Sequence, residues 1–291
     1  MARNIYSLTG WLGTVSVLLA LGLAPAYADD DESADDPETA ASTPDSLSKI
    51  KDIAAESPIA RYSWKNRGVA PVGYTKGIAL SYGRAYCRLR ADDPCTVEMA
   101  KADTGDGAID AIAWYAAQFK ALGMDNSEAG STTLRHLYVL LMGLGMRESS
   151  GIYCTGRDQG ASNTTADTAE AGLFQTSYNA RTANEQLPAL FDWYKEHPTG
   201  FLDEYSEGVA KCSAANLKNF GSGDGAEFQR LSKELPDFAA QFAAVGLRNI
   251  RKHWGPINTK SAELKADADA MLREVEEAID ADPTEMCREL L

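Results

Sequence analysis

Glu148 is the residue of this chain best suited to chemistry, because it stands at the end of a long apolar run. Residues 137–146 are apolar nearly throughout and predict a buried helix, and Arg-Glu-Ser-Ser-Gly follows them. Burial and the partial negative charge of the last helix carbonyls both disfavour a carboxylate, so the pKa of Glu148 should rise. A carboxyl group that keeps its proton near neutral pH can act as a general acid. The alternative is an ordinary surface glutamate that marks where the helix leaves the core.

The residues that follow Glu148 can support the first interpretation. Ser149 and Ser150 can orient the carboxyl group through hydrogen bonds, and Gly151 allows the chain to turn sharply. Further on, Thr168 to Ala180 reads TAEAGLFQTSYNA and brings an aromatic ring, an amide and hydroxyl groups together. Sugars offer apolar ring faces and many hydroxyl groups, so this combination predicts sugar binding, and cleavage of a glycosidic bond needs a protonated acid. With the two serines, the candidate binding residues are Glu170, Gly172, Phe174, Gln175, Thr176 and Tyr178.

Glu-Ser-Ser-Gly at 148–151 and Gly-Leu-Phe-Gln at 172–175 together resemble the lysozyme-like superfamily. The pattern is most similar to soluble lytic transglycosylases and goose-type lysozymes, which carry a catalytic Glu followed by Ser and then a Gly-Leu-Met-Gln segment that lines the cleft. Phe174 stands where those families usually have Met, and the resemblance covers roughly residues 134–178. Transglycosylases of this type also carry a later Ala-Tyr-Asn-Ala-Gly-like segment, for which the nearest candidate here is 216–225. This departure concerns the far wall of the cleft and the subclass of enzyme.

The resemblance implies an enzyme that cleaves β-1,4 bonds of peptidoglycan, as a lytic transglycosylase or a lysozyme-type muramidase. Glu148 would protonate the glycosidic oxygen and then deprotonate either water or, in a transglycosylase, the sugar's own 6-hydroxyl. A hydrolase would need a second carboxylate, about 5–5.5 Å away if retaining and about 6.5–9.5 Å away if inverting. The candidates are Asp158, Asp167 and Glu170. Asp158 and Asp167 also fit local turns, and Glu170 can face either the cleft or solvent.

Two other functions remain open from the sequence. A non-catalytic glycan-binding or scaffold protein would keep a lysozyme-like fold without turnover, and the unclear later segment favours this alternative. An enzyme acting on another amino-sugar polymer, such as chitin, would differ from the first hypothesis only in its substrate.

Helical patterns dominate the elements that must position these residues. We therefore expect a mainly α, lysozyme-like single domain over 49–291, with its catalytic core at about 106–258. A small hairpin or a long loop should follow the catalytic helix, where 152–171 is rich in Thr, Gly, Asn and Asp. The predicted helices are Gly73–Arg90, Asp106–Gly123 with Asp106 as its N-cap, Ser131–Gly151, Asn184–His197, Leu235–Gly255 and Ser261–Asp280.

The N-terminal residues predict export. Arg3, the apolar run 11–24 and the small-residue site AYA are typical of a signal peptide, 1–28, that is cleaved after Ala28. An uncleaved anchor is the alternative, although no basic stop-transfer cluster follows. Residues 29–46 are acidic and lack large apolar side chains, which predicts a disordered spacer over 29–48. We expect a secreted or periplasmic protein, a monomer with no stable membrane span after cleavage.

Five cysteines in an exported chain predict two disulfides and one spare thiol. We expect Cys87 to pair with Cys95 across a short turn, and Cys154 to pair with Cys212, which leaves Cys287 over. No metal or cofactor is expected, since the chain has no C-x-x-C and only three His. Its formal net charge of −14 gives it none of the basic surface on which nucleic-acid binding depends.

Overall fold

A long buried helix, α6 (Ser131–Ser149), carries Glu148 on its last turn. The computed structural model describes residues 46–160 and 163–291. All residues of α6 from Thr133 to Met146 are buried. Its buried polar side chains have partners, since Arg135 Nε lies 2.7 Å from an oxygen of Asp269 and His136 is hydrogen-bonded to Asn126. The predicted mainly α fold and this central helix are confirmed.

The elements before α6 are one long helix, several short ones and a hairpin. They are α1 (Ser46–Glu56), β1 (Ser63–Trp64), β2 (Gly68–Val69), α2 (Val72–Arg90), α3 (Pro94–Met99), α4 (Ala111–Trp114) and α5 (Ala116–Ala121). A 3₁₀ turn at Pro58–Arg61 leads into the hairpin. The two strands pair antiparallel, with Trp64 opposite Gly68.

A long loop follows α6, and helices then continue to the C-terminus. They are α7 (Gln186–Glu196), α8 (Leu202–Ser206), α9 (Ala214–Leu217), α10 (Asp224–Glu234), α11 (Pro236–Asn249), α12 (Gly255–Asn258), α13 (Ala266–Ala281) and α14 (Pro283–Leu290). Two 3₁₀ turns lie between α6 and α7, at Ala166–Thr168 and Tyr178–Ala183. A third, at Arg251–His253, lies between α11 and α12. The loop after α6 contains an isolated antiparallel bridge between Ala171 and Thr176.

Helices α2, α11 and α13 pack directly against α6 and form the core around it. The ring of Tyr74 in α2 fills the space where Gly145 lacks a side chain, and its hydroxyl donates a 2.8 Å hydrogen bond to the carbonyl of Met142. A buried ion pair between Arg84 and Asp237, 2.6 Å apart, joins α2 to α11. Removing one partner of such a pair costs about 3–5 kcal/mol, because the other charge stays buried. The helix that carries Glu148 is therefore held firmly in place.

The predicted helix Asp106–Gly123 is wrong over its first part. Asp106 does not cap a helix but closes a turn, accepting a 2.8 Å hydrogen bond from a backbone N–H two residues later. Asp110 is the cap instead, at the start of α4, and its carboxylate also pairs with the buried guanidinium of Arg248 at 2.9 Å. This tertiary ion pair fixes where the helix begins. Ile109 lies just before this helix and is 46% exposed.

One of the two predicted disulfides is confirmed and the other is wrong. Cys154 is bonded to Cys212, as expected. Cys87 is bonded to Cys287 in α14 and not to Cys95. Helix α2 continues three residues beyond Cys87, so this side chain faces the packed C-terminal helix and not the turn that follows α2. Cys95 is a buried free thiol, and burial raises its pKa.

The predicted signal peptide and most of the predicted spacer, residues 1–45, lie outside the described residues. Helix α1 covers 46–48, so the predicted disordered spacer is wrong over these three residues. Within 46–160 and 163–291, no helix is long and apolar enough to cross a membrane. The two disulfides are typical of proteins from oxidising compartments.

Candidate functional site

The C-terminal end of α6 turns back sharply just after Glu148. Ser150 adopts a left-handed conformation with φ of 56°, and Gly151 follows with φ of +74°. The N–H of Gly151 donates to the carbonyl of Gly145 at 3.3 Å, and the N–H of Ser150 donates to that of Met146. Two positive φ angles and these hydrogen bonds end the helix in the usual left-handed way, which favours glycine at the second position. The turn leaves Glu148 beside the loop that follows.

Glu148 lines a cavity of about 390 Å³ whose other side chains are mostly polar. The cavity also contains the carboxyl groups of Glu170 and Asp158, the amides of Gln175 and Asn216, and Arg157. Within the described part of the chain, no hydrogen bond is made to the carboxyl oxygens of Glu148. The carboxyl group is therefore free to contact a molecule that enters the cavity.

The pKa of Glu148 is raised from its ordinary value of 4.5 to about 7. Burial is the main cause, and the negative charge of Glu170 adds to it. The cations of Arg67 and Arg147 act in the opposite direction but do not cancel the effect. The sequence-based expectation of a raised pKa is confirmed, and its causes are burial and a neighbouring acid. Glu148 can therefore release and take up a proton in the neutral pH range.

The two serines after Glu148 do not orient its carboxyl group. The hydroxyl of Ser149 is buried and donates a 3.0 Å hydrogen bond to the carbonyl of Gly145, four residues earlier in the helix. Such bonds to the preceding turn are common for serine in helices. Ser150 provides the left-handed residue of the turn, and neither serine lines the cavity. Their role is to shape the end of α6.

The Gly-Leu-Phe-Gln segment crosses beside the end of α6 and brings Gln175 into the cavity. Gly172 is needed for close contact, since a Cβ atom there would collide with the carbonyl of Ser232, and its N–H donates to Thr155 at 2.8 Å. Gln175 has a φ of 45° and its side-chain amide donates to the carbonyl of Gly172 at 3.0 Å. This internal hydrogen bond fixes the amide, whose oxygen remains available to a ligand.

Phe174 supports the site from behind and does not contact the cavity. Its ring is fully buried against α6 near Gly145. Its carbonyl accepts a 2.8 Å hydrogen bond from the indole N–H of Trp254. The residue that occupies the position of the usual Met therefore anchors the segment to the core on two sides.

The structure places Thr176 and Tyr178 away from the Glu148 cavity. Thr176 is buried, and its hydroxyl has no partner among the described residues. The hydroxyl of Tyr178 donates to Asp224 at 3.1 Å, and its ring lies between the guanidinium of Arg181, 3.8 Å from the ring centre, and the ring of Phe191. Only 8% of Tyr178 is exposed, so little of its ring is open for a sugar to stack on.

The three candidate second carboxylates have different positions. Glu170 is half-buried inside the cavity and accepts a 3.4 Å hydrogen bond from Asn163, and burial with the charge of Asp158 raises its pKa. Asp158 lies exposed at the cavity rim and accepts a 2.8 Å hydrogen bond from the N–H of Gly160, which closes a turn. Asp167 is exposed and does not line the cavity. Glu170 is thus the carboxyl group closest in environment to Glu148.

The sequence did not indicate two residues that contribute to the site. Arg67, in the hairpin, donates to the carbonyl of Arg147 and supplies positive charge beside Glu148. Asn216, from α9, also lines the cavity. It belongs to the stretch 216–225 considered for the later family segment, although the resemblance gave no role to Asn216 itself. No local pattern marks either residue, because distant parts of the chain bring them to the cavity.

One cavity combines Glu148, whose pKa is near neutral, with a second acid, Glu170, and the side-chain amides of Gln175 and Asn216. In the described ranges, no group of three or more His, Cys, Asp or Glu side chains could hold a metal ion. An acid of this kind can donate a proton to a leaving oxygen and later accept one from a nucleophile. No family model, curated protein or solved structure matches this chain, so the chemistry of its own residues is what supports a function.

Proposed function

We propose that this protein cleaves β-1,4 glycosidic bonds between the amino sugars of peptidoglycan, with Glu148 as the general acid and base. The observation that carries the proposal is the raised pKa of Glu148, about 7, in a polar cavity beside Gln175. A glycosidic oxygen is a poor leaving group until it is protonated, and few side chains can do this at neutral pH. The resemblance of 148–151 and 172–175 to lysozyme-like enzymes supplies the substrate class.

In the first step of the proposed reaction, protonated Glu148 transfers its proton to the glycosidic oxygen while the bond from the anomeric carbon to that oxygen breaks. The sugar on the other side of the bond develops positive charge at its anomeric carbon. Glu148, now a carboxylate, stabilises this charge and then removes a proton from the attacking hydroxyl. A new bond from oxygen to the anomeric carbon forms, and Glu148 ends the cycle protonated.

The attacking hydroxyl distinguishes a muramidase from a lytic transglycosylase. Water gives a reducing sugar, whereas the sugar's own 6-hydroxyl gives an anhydro sugar and requires no second carboxylate. The raised pKa of Glu170 makes that side chain a weaker candidate for a permanently charged nucleophile. The transglycosylase route requires no such nucleophile, and the negative charge of Glu170 contributes to the raised pKa of Glu148.

The proposal is tested with purified cell walls and the variant Glu148→Gln. Glutamine has almost the same size as glutamate but no carboxyl group that can transfer a proton. Loss of general acid catalysis should lower the rate of turbidity decrease by about 100-fold or more. The matched control is Glu277→Gln, since Glu277 is an exposed glutamate of α13 far from the cavity lining. Full activity in Glu148→Gln with an intact fold would exclude the proposal.

Mass spectrometry of the released fragments separates the two routes, because only a transglycosylase yields anhydro-muropeptides. Chitin tested in parallel identifies an enzyme for another amino-sugar polymer. A wild-type protein that binds cell walls but releases no soluble fragment would instead be a glycan-binding or scaffold protein, and the enzymatic proposal would be wrong.

A further inference from the structure

One segment, here called the wall segment (residues 212–221), borders the cavity that Glu148 lines. It contains the short helix α9 and contributes Asn216 to the cavity lining. Gly156, on the loop after α6, packs so closely on it that a Cβ atom at Gly156 would lie 2.8 Å from the Cα of Asn216. The loop after the catalytic helix and the wall segment therefore close the cavity together.

The wall segment has little apolar support of its own, and specific tethers hold it. Most of its residues are exposed, Leu217 by 52%. The disulfide between Cys154 and Cys212 bonds it to the loop that follows Glu148. At its other end, the backbone N–H and carbonyl of Phe220 are bound by the side chain of Gln229, at 2.8 and 3.1 Å.

A buried lysine fixes the middle of the wall segment. Lys233 is only 3% exposed, and its ammonium group donates to the carbonyls of Asn216 and Leu217, each at 3.0 Å, and of Lys218 at 3.4 Å. These carbonyls lie at the C-terminal end of α9, where a cation is favourable. Three charge-assisted hydrogen bonds from one side chain hold the backbone of Asn216 in one position.

The side chain of Asn216 takes no part in the contacts that hold the wall segment. Its backbone N–H donates to the hydroxyl of Ser213 and its carbonyl is bound by Lys233, but its side-chain amide makes no hydrogen bond to the described residues. A fixed backbone with a free amide in a cavity is the arrangement of a ligand-binding group. The nearby acids Glu148, Glu170 and Asp158 disfavour an anionic ligand group, so a neutral one is expected.

We infer that the side-chain amide of Asn216 binds a hydroxyl or acetamido group of the sugar held at Glu148, and that the Cys154–Cys212 disulfide keeps it in place. The inference rests on the proposed function and adds a substrate-binding residue to it. Asn216 provides both a donor and an acceptor, as hydroxyl and acetamido groups require. The disulfide and Lys233 act as positioning groups and do not touch the substrate.

The test measures kcat and KM of purified variants on soluble, uncross-linked peptidoglycan chains. Asn216→Ala should raise KM by about 3- to 10-fold through the loss of one hydrogen bond, with kcat and the pH profile almost unchanged. Cys154→Ser/Cys212→Ser should lower kcat/KM by a similar factor. Cys87→Ser/Cys287→Ser, which removes the disulfide outside the cavity, is the matched control and should leave kcat/KM unchanged.

The decisive comparison combines Asn216→Ala with Cys154→Ser/Cys212→Ser in one protein. If the disulfide acts by positioning Asn216, its removal in the Asn216→Ala background should cause little further loss of kcat/KM. Fully additive losses, or an unchanged KM in Asn216→Ala, would overturn the inference while leaving an active enzyme and the proposed function intact. Calorimetry of the same peptidoglycan chains with Glu148→Gln measures binding without turnover. If the wild-type protein neither binds nor cleaves these chains, the proposed function is wrong as well.

Discussion

Ionisation of Glu148 should lower the stability of the folded protein, and replacing this residue should reveal the effect. The folded-state pKa of about 7 exceeds the ordinary value of 4.5. The folded protein therefore binds this proton more tightly than the unfolded chain does. The resulting stabilisation is fully present below pH 4.5 and is lost as the pH rises through 7. Glu148→Gln does not titrate and should not lose this free energy.

The size of the effect follows from the displacement of the pKa. One unit of pKa corresponds to about 1.36 kcal/mol, so the full displacement corresponds to about 3 kcal/mol. Because the cavity is open to water, we expect between about 1 and 3 kcal/mol. Between pH 4 and pH 8, the free energy of unfolding of Glu148→Gln should rise by this amount relative to wild type. For a domain of this size, Tm should shift by about 2–4 °C per kcal/mol.

Urea denaturation and thermal unfolding at several pH values, at constant ionic strength, measure this difference. The exposed glutamate variant Glu277→Gln should follow the wild-type curve at every pH. A stability difference between Glu148→Gln and wild type that stays constant from pH 4 to pH 8 would refute the reasoning, because an acid with an ordinary pKa gives no such change. The measurement needs no substrate and is independent of the proposed reaction.

Three further substitutions test the surroundings of the site. Glu170→Gln removes a negative charge beside Glu148, so the alkaline limb of the pH–activity profile should move to lower pH, but by less than the effect of burial. Arg67→Gln removes a positive charge from the same carboxyl group and should move that limb to higher pH; shifts of the same sign in both variants would contradict the assigned charges. Trp254→Phe leaves the buried carbonyl of Phe174 without its hydrogen-bond donor, so the free energy of unfolding measured by chemical denaturation should fall by about 1–3 kcal/mol. An unchanged free energy of unfolding would show that this hydrogen bond does not hold the segment 172–175.

The helix that carries Glu148 could be predicted because its apolar run is long enough to require burial on all sides. The end of the helix could also be predicted, because a glycine such as Gly151 readily adopts the left-handed conformation that ends a helix. The contacts of Tyr178 could not be predicted, because a tyrosine near a binding segment can face either a ligand or the core. Only the tertiary structure shows that Asp224 and Arg181 contact it.

Contacts between distant parts of the chain account for the other differences. Cys87 and Cys287 are 200 residues apart, and nothing in the local sequence of either indicates the other. Asp110 caps α4 because Arg248 reaches it from α11, a contact that no window around Asp106 reveals. Asn216 could not be predicted for the same reason, since its position in the cavity depends on contacts with the distant Cys154 and Lys233.

The Cys87–Cys287 bond makes most of the folded chain a covalent ring that includes Glu148 and the other residues that line its cavity. A loop of this length restricts the unfolded chain enough to favour the folded state by about 5 kcal/mol in the chain-entropy model. A protease that cuts once at the exposed residues 213–215 would leave both fragments joined through this bond. Such a nicked molecule would keep its mass on a non-reducing gel and separate into two bands only after reduction. The ring thus allows the folded protein to tolerate a single break in its backbone.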